Sequence, residues 1–222
     1  AAHPDDEVLG VGGSIAKWVA SGNTVDIKIL AEGSTSRDLK RDSKLRENDI
    51  LDLRDCAEKA SEILGVNSLQ MFGLPDNRMD SLDFLDIVKI IEEQVQKHDP
   101  QIIVTHHFGD LNIDHKIIHN AVLTAARPQP HSNVRRILTF ETLSSTEWQS
   151  ISTNTPFIPN WYEDISEYID IKIKAINVYA NELRKFPHSR SIESINSLSK
   201  IRGSNVGLTA AEAFMLIRNI EK

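Results

Sequence analysis

The chain has 222 residues, a formal net charge of −7 and 40% hydrophobic residues. That length can bury a sizeable core, the acidic balance gives no electrostatic footprint for nucleic acid, and no apolar run reaches the ~18 residues that a membrane span needs. The single cysteine, Cys56, excludes an internal disulfide and suits a reducing, cytoplasmic setting.

In chain order, the chemistry comes first. Ala2-His3-Pro4-Asp5-Asp6-Glu7 sets an imidazole and three carboxylates within five residues. So much ionisable character in one short segment points to a bound cation. Imidazole with carboxylate suits zinc or another divalent transition ion. Neighbouring residues of an extended loop face opposite ways, so Asp5 and Asp6 are expected to divide the work, one on the metal and one on the water. Glu7 is left for backbone or supporting contacts.

Residues 9–21 read as a helix with Ile15, Ala16, Trp18 and Val19 on its apolar face, ended at Gly22-Asn23. Residues 24–31 alternate like a strand, and 32–43 form a polar loop near its carboxyl end. A long amphipathic helix is expected over 44–64, a short strand over 68–72, and a helix over 82–98 ended by Asp99-Pro100. Residues 101–105 read as a buried strand that delivers a second cluster, His106-His107-Phe108-Gly109-Asp110 to Asp114-His115, ahead of a helix from 116. Ligands in open α/β sheets bind outside the carboxyl ends of strands. A strand over 134–142 follows, then a polar excursion over the site at 144–159. Helices are expected at 165–182 and 191–201, and 210–220 reads as a third, or as a short strand followed by a helix. This alternation predicts one α/β domain over 1–222: a Rossmann-like three-layer sandwich, its sheet mostly parallel, with helices on both faces.

The opening hexapeptide and Asp114-His115 are joined by weaker signals. A helix carrying Arg54 ends in Leu64-Gly65-Val66, and the tail runs Arg202-Gly203, Gly207, then Ala211-Glu212-Ala213-Phe214. Together these resemble the PIG-L/LmbE-like family of zinc-dependent N-deacetylases over nearly the whole chain. The resemblance implies His3, Asp6 and His115 as zinc ligands and Asp5 as general base toward a zinc-bound water. The substrate it implies is an N-acetylated amino sugar or its conjugate, a small molecule, and nothing in the pattern conflicts with a homo-oligomer. It also implies a strand before the hexapeptide, so one is expected ahead of Ala1.

Many relatives have His-Pro-Asp-His where this chain has Asn112-Ile113-Asp114-His115. The Asn112 amide can donate a hydrogen bond to an oxyanion but brings no charge; His106, His107 and His188 are the other candidates for that task. Asp114 is read either as the acceptor for a site imidazole or as a helix cap. Arg54 either reaches toward substrate or pairs with Glu58. His119 reads as packed. Asp110 and Arg37 could meet sugar hydroxyls, and Arg202 a phosphate or the carbonyls of its helix. Two other readings stand: a zinc amidase for a non-acetyl amide such as a thiol-sugar conjugate, and a non-catalytic nucleotide- or sugar-binding module. Against the last, Gly10-Val11-Gly12-Gly13 lacks the final glycine of G-x-G-x-x-G.

Overall fold

The computed structural model describes residues 1–150 and 155–221. Six helices are described: α1 (Asp6–Ala20), α2 (Glu47–Leu64), α3 (Phe84–His98), α4 (Ile113–Ala125), α5 (Ile169–Ile176) and α6 (Ile192–Ser204). The strands are β1 (Asp26–Ala31), β2 (Ser68–Leu74), β3 (Ile102–His106), β4 (Arg136–Phe140), β5 (Trp161–Asp164) and β6 (Ala211–Asn219). β1 and β2 pair in parallel. The second sheet has the order β3-β4-β6-β5, with β3 and β4 parallel but β6 antiparallel to both its neighbours.

The mostly parallel sheet expected from the sequence is therefore corrected to a mixed one. The cause is β6. Ala, Glu, Met and Leu favour helix, yet 211–219 is a nine-residue strand whose first four residues are buried. Pairing on both edges outweighs local propensity. Residues 165–182 also differ from the expected long helix, which is shortened to α5 and a 3-10 turn at Asn177–Tyr179.

Helices do cover both faces. Successive residues of a strand point to opposite sides, and on β1 Ile29 packs with Val8, Ile15, Leu53 and Tyr179 while Leu30 packs with Ile87, Ile118 and Val122. So α1, α2 and α5 lie on one side, and α3 and α4 on the other.

The chain start runs into the gap between the sheets. Ala1 donates from its amino group to Lys28 O, and Leu30 and Ala31 donate to the carbonyls of Ala1 and Ala2. Across the gap, Ala2 N–H donates to His106 Nε2 at the end of β3. This pairing delivers His3 to the carboxyl ends of β1 and β3. The strand expected ahead of Ala1 lies outside the described residues.

The glycine-rich start of α1 answers a packing need. A Cβ on Gly10 would sit 2.1 Å from the Phe140 ring, and one on Gly13 2.8 Å from Ile165. Glu212 of β6 accepts the backbone N–H groups of Gly13 (2.9 Å) and Ser14 (2.7 Å), and buried Lys172 of α5 joins Glu212 (2.6 Å) to Leu9 O (2.8 Å).

Candidate metal centre

The hexapeptide is a helix entry, not the extended loop expected. Asp6 begins α1, and Asp5 precedes it with φ 107°, a left-handed backbone rare for a residue with a side chain. Glu7 holds that conformation: its Oε2 accepts Asp5 N–H at 3.0 Å, while its Oε1 accepts the Tyr179 hydroxyl at 2.6 Å. Burial raises the Glu7 carboxyl to about 7.

Three atoms converge beside it. Asp6 Oδ2 is 3.2 Å from His3 Nδ1 and 3.2 Å from His115 Nε2, and the two nitrogens are 3.3 Å apart. Ligands about 2.0–2.1 Å from a tetrahedral zinc lie about 3.3–3.4 Å from one another. The triangle thus has the size of one face of a zinc tetrahedron, and these residues could hold a metal ion.

The outer edges of both rings face carboxylates. His3 Nε2 donates to Asp114 Oδ2 at 3.1 Å and lies 3.3 Å from Asp76 Oδ1. His115 Nδ1 is 3.2 Å from Asp110 Oδ1, which also accepts Asn112 N–H (2.8 Å) and the Ser145 hydroxyl. Carboxylates behind imidazoles fix ring orientation and raise basicity at the inner nitrogen. Asp6 Oδ1 is buried without a hydrogen-bond partner among the described residues.

The electrostatics ask for positive charge. Burial opposes a charged His3, but its hydrogen bonds to Asp114 and Asp6 outweigh this and push the imidazole up to about 10. Burial likewise opposes the Asp6 carboxylate, yet His115 beside it holds the group well below the usual range. Protons fill this demand without a metal, and a cation would displace them on binding. Asp5 stands apart: burial raises its carboxyl to about 8 against the pull of Arg190.

A second grouping, His3 with Asp76 and Asp114, shares His3. Asp114 is already engaged there, accepting backbone N–H from Asn77 (2.7 Å) and Met79 (3.1 Å). It supports His3 and does not cap α4. Asp114→Asn is expected to weaken zinc binding about 10–100-fold, measured by competition with a chromogenic chelator.

Asn112 is the cap instead. Its Oδ1 accepts Asp114 N–H at 2.9 Å and its Nδ2 donates to Asn77 Oδ1 at 2.7 Å, so both ends of the amide are engaged. The bond to Asn77 uses one of the two Nδ2 hydrogens, and the other is left as a donor. Buried His106 accepts from Ala2 and stacks on His115 with centroids 3.8 Å apart; burial keeps its ring well below the usual range, hence neutral. His107 pairs with Thr155 O (3.0 Å) and His119 with His106 O (2.9 Å), as a packed histidine does. Half-buried His188 accepts Arg190 N–H at Nδ1 and sets its ring edge against Trp148. Arg54 is exposed on α2, with no hydrogen bond or ion pair among the described residues, to Glu58 or otherwise. Arg37 pairs with Glu182, and Arg202 makes a two-point pair with Glu141. Of the excursion at 144–159, Ser145 and Thr146 anchor Asp110; residues 151–154 lie outside the described residues.

Two contributors were not anticipated. Asp76 sits beside His3 in a loop with no distinguishing pattern. Arg190 donates from Nη1 to Asp5 Oδ2 at 2.8 Å; the only sequence signal was its place two residues after His188.

The fold and site together define an α/β enzyme domain with a histidine–carboxylate centre at the carboxyl ends of its strands. The chain belongs to the PIG-L family, described as GlcNAc-PI de-N-acetylase, whose pattern matches residues 1–126. It is 26% identical over 181 residues to the uncharacterized deacetylase YaiS of Escherichia coli K12, covering 79% of this chain and 85% of that protein. It is 26% identical over 194 residues to the diacetylchitobiose deacetylase of Thermococcus kodakarensis, covering 81% and 67% of the two chains. Its fold matches that of GalB, the 4-carboxy-2-hydroxymuconate hydratase of Pseudomonas putida KT2440, with a TM-score of 0.79 and 22% identity over 100% of this chain and 95% of that one. No helix among the described residues is long and apolar enough to cross a membrane.

Proposed function

We infer that the protein removes the acetyl group from an N-acetylated amino sugar or sugar conjugate, with His3, Asp6 and His115 holding zinc and Asp5 acting as general base. The observation that carries this reading is the triangle of His3 Nδ1, Asp6 Oδ2 and His115 Nε2, with sides of 3.2–3.3 Å, next to a separate buried carboxylate. Family membership and the deacetylase relatives supply the reaction class.

Zinc at these residues would polarise the amide carbonyl and make a water acidic near neutral pH. The remaining work falls to the chain. Asp114 and Asp110 keep the two imidazoles turned inward. Asp5 takes the proton of the attacking water and returns it to the leaving nitrogen, which departs as amine while the acyl carbon departs as acetate. Among the histidines, His106, His107 and His119 use a ring nitrogen within the fold. His188 accepts at Nδ1 from the N–H of Arg190, the residue that pairs with Asp5, so its Nε2 is the group assigned to the developing oxyanion.

The test is simultaneous assay of acetate and free amine. Metal-stripped protein, with and without added zinc, is offered N-acetylglucosamine, diacetylchitobiose and a nucleotide-linked N-acetylglucosamine. Equimolar, zinc-dependent release of both products from at least one is expected. Amine without acetate from a longer amide would move the protein to the amidase reading. Since GalB is a hydratase on the same fold, fold alone does not fix the reaction; zinc-dependent water addition to an unsaturated acid, with no amide cleaved, would defeat the proposal.

A further inference from the structure

The pairing of Arg190 with Asp5 reaches beyond this reading. Arg190 comes from the loop before α6, 185 residues from Asp5 in sequence. Its guanidinium is held at two points: Nη1 donates to Asp5 Oδ2 at 2.8 Å and Nε to Ser144 Oγ at 2.6 Å. Its side chain is 22% exposed. The other Asp5 oxygen, Oδ1, is buried and has no hydrogen-bond partner among the described residues.

A carboxylate beside three metal-binding groups has two futures. It can act on the substrate water, or it can swing in and become another ligand. The backbone of Asp5 is fixed by Glu7, but that leaves the side chain free to turn. A guanidinium on Oδ2 removes the freedom, because a charge-assisted hydrogen bond is strong and directional. We propose that Arg190 is a positioning residue that anchors Oδ2 of Asp5, leaving Oδ1 alone for proton transfer and keeping the carboxylate off the cluster of His3, Asp6 and His115. Ser144 ties this anchor to the segment that also holds Asp110 through Ser145 and Thr146, so both sides of the site rest on one loop.

The proposal rests on the general-base reading of Asp5, and two readouts separate them. Arg190→Ala is expected to lower kcat about 100-fold or more with KM changed less than threefold, and guanidinium ion should restore at least a tenth of the lost rate. Arg190→Lys should retain an intermediate kcat. Independently of any substrate, the visible absorption of the cobalt-loaded protein reports coordination number. Arg190→Ala should weaken that band at least twofold as Asp5 joins the metal, and adding Asp5→Asn to it should restore the band. A cobalt spectrum unchanged by Arg190→Ala overturns the proposal whether or not the substrate is known. So does wild-type kcat in Arg190→Ala, or a loss confined to KM. If the wild-type protein released no acetate while the cobalt bands changed as described, the deacetylase reading would fail and the anchor would stand.

Discussion

Asp5→Asn is expected to retain a full complement of zinc and to lose about 10²–10⁴-fold in kcat, the range usual for a general base. The substitution preserves shape, and the Asn carbonyl oxygen can still accept from Arg190 Nη1, 2.8 Å from Oδ2 in the native protein. What disappears is the ability to take a proton. The three atoms of the triangle are untouched, so metal content should not move. His115→Ala should behave differently, losing metal and turnover together, because Nε2 is one corner of that triangle. Metal analysis beside steady-state kinetics checks both. Near-normal turnover in Asp5→Asn would mean that the proton goes elsewhere.

The second large effect is on stability. Lys172 and Glu212 form an ion pair at 2.6 Å with each side chain 4% exposed. Breaking a buried pair by removing one partner costs about 3–5 kcal/mol, since the other charge stays buried. Here the bonds to Leu9 O and to the Gly13 and Ser14 N–H groups depend on the same two side chains. Lys172→Met should therefore lose about 3–5 kcal/mol, a large part of the ~5–15 kcal/mol of a typical domain. Urea unfolding measures it. The double variant Lys172→Met/Glu212→Gln should cost clearly less than the two single losses added, because it leaves no lone charge. A loss under about 1 kcal/mol in Lys172→Met would show that water reaches the pair and solvates Glu212.

What could be read from the sequence was local. The density of charge at His3–Glu7 marked the segment in which His3 and Asp6 meet His115, and Asp114-His115 followed a strand in the place where α/β folds bind ligands. The helical periodicities of α2 and α3 were clear because one face of each is apolar. What could not be read was long-range. Arg190 meets Asp5 across 185 positions, and Glu212 meets Gly13 across 199. No spacing rule connects residues so far apart. β6 was obscured for a related reason: its helix-favouring residues become a strand only because β4 and β5 offer edges on both sides. Asn112 shows the converse. Its position drew attention to oxyanion chemistry, while its Oδ1 does the commoner work of an Asn before a helix, capping it.

The proposed metal site is His3, Asp6 and His115, and not His3 with Asp76 and Asp114. Anomalous scattering at the zinc edge from crystals of the zinc-loaded protein tests it most directly. One peak is expected, about 2.0–2.2 Å from His3 Nδ1, Asp6 Oδ2 and His115 Nε2. A peak on the other side of the ring, at His3 Nε2 between Asp76 and Asp114, or no peak near His3 at all, would rule this assignment out.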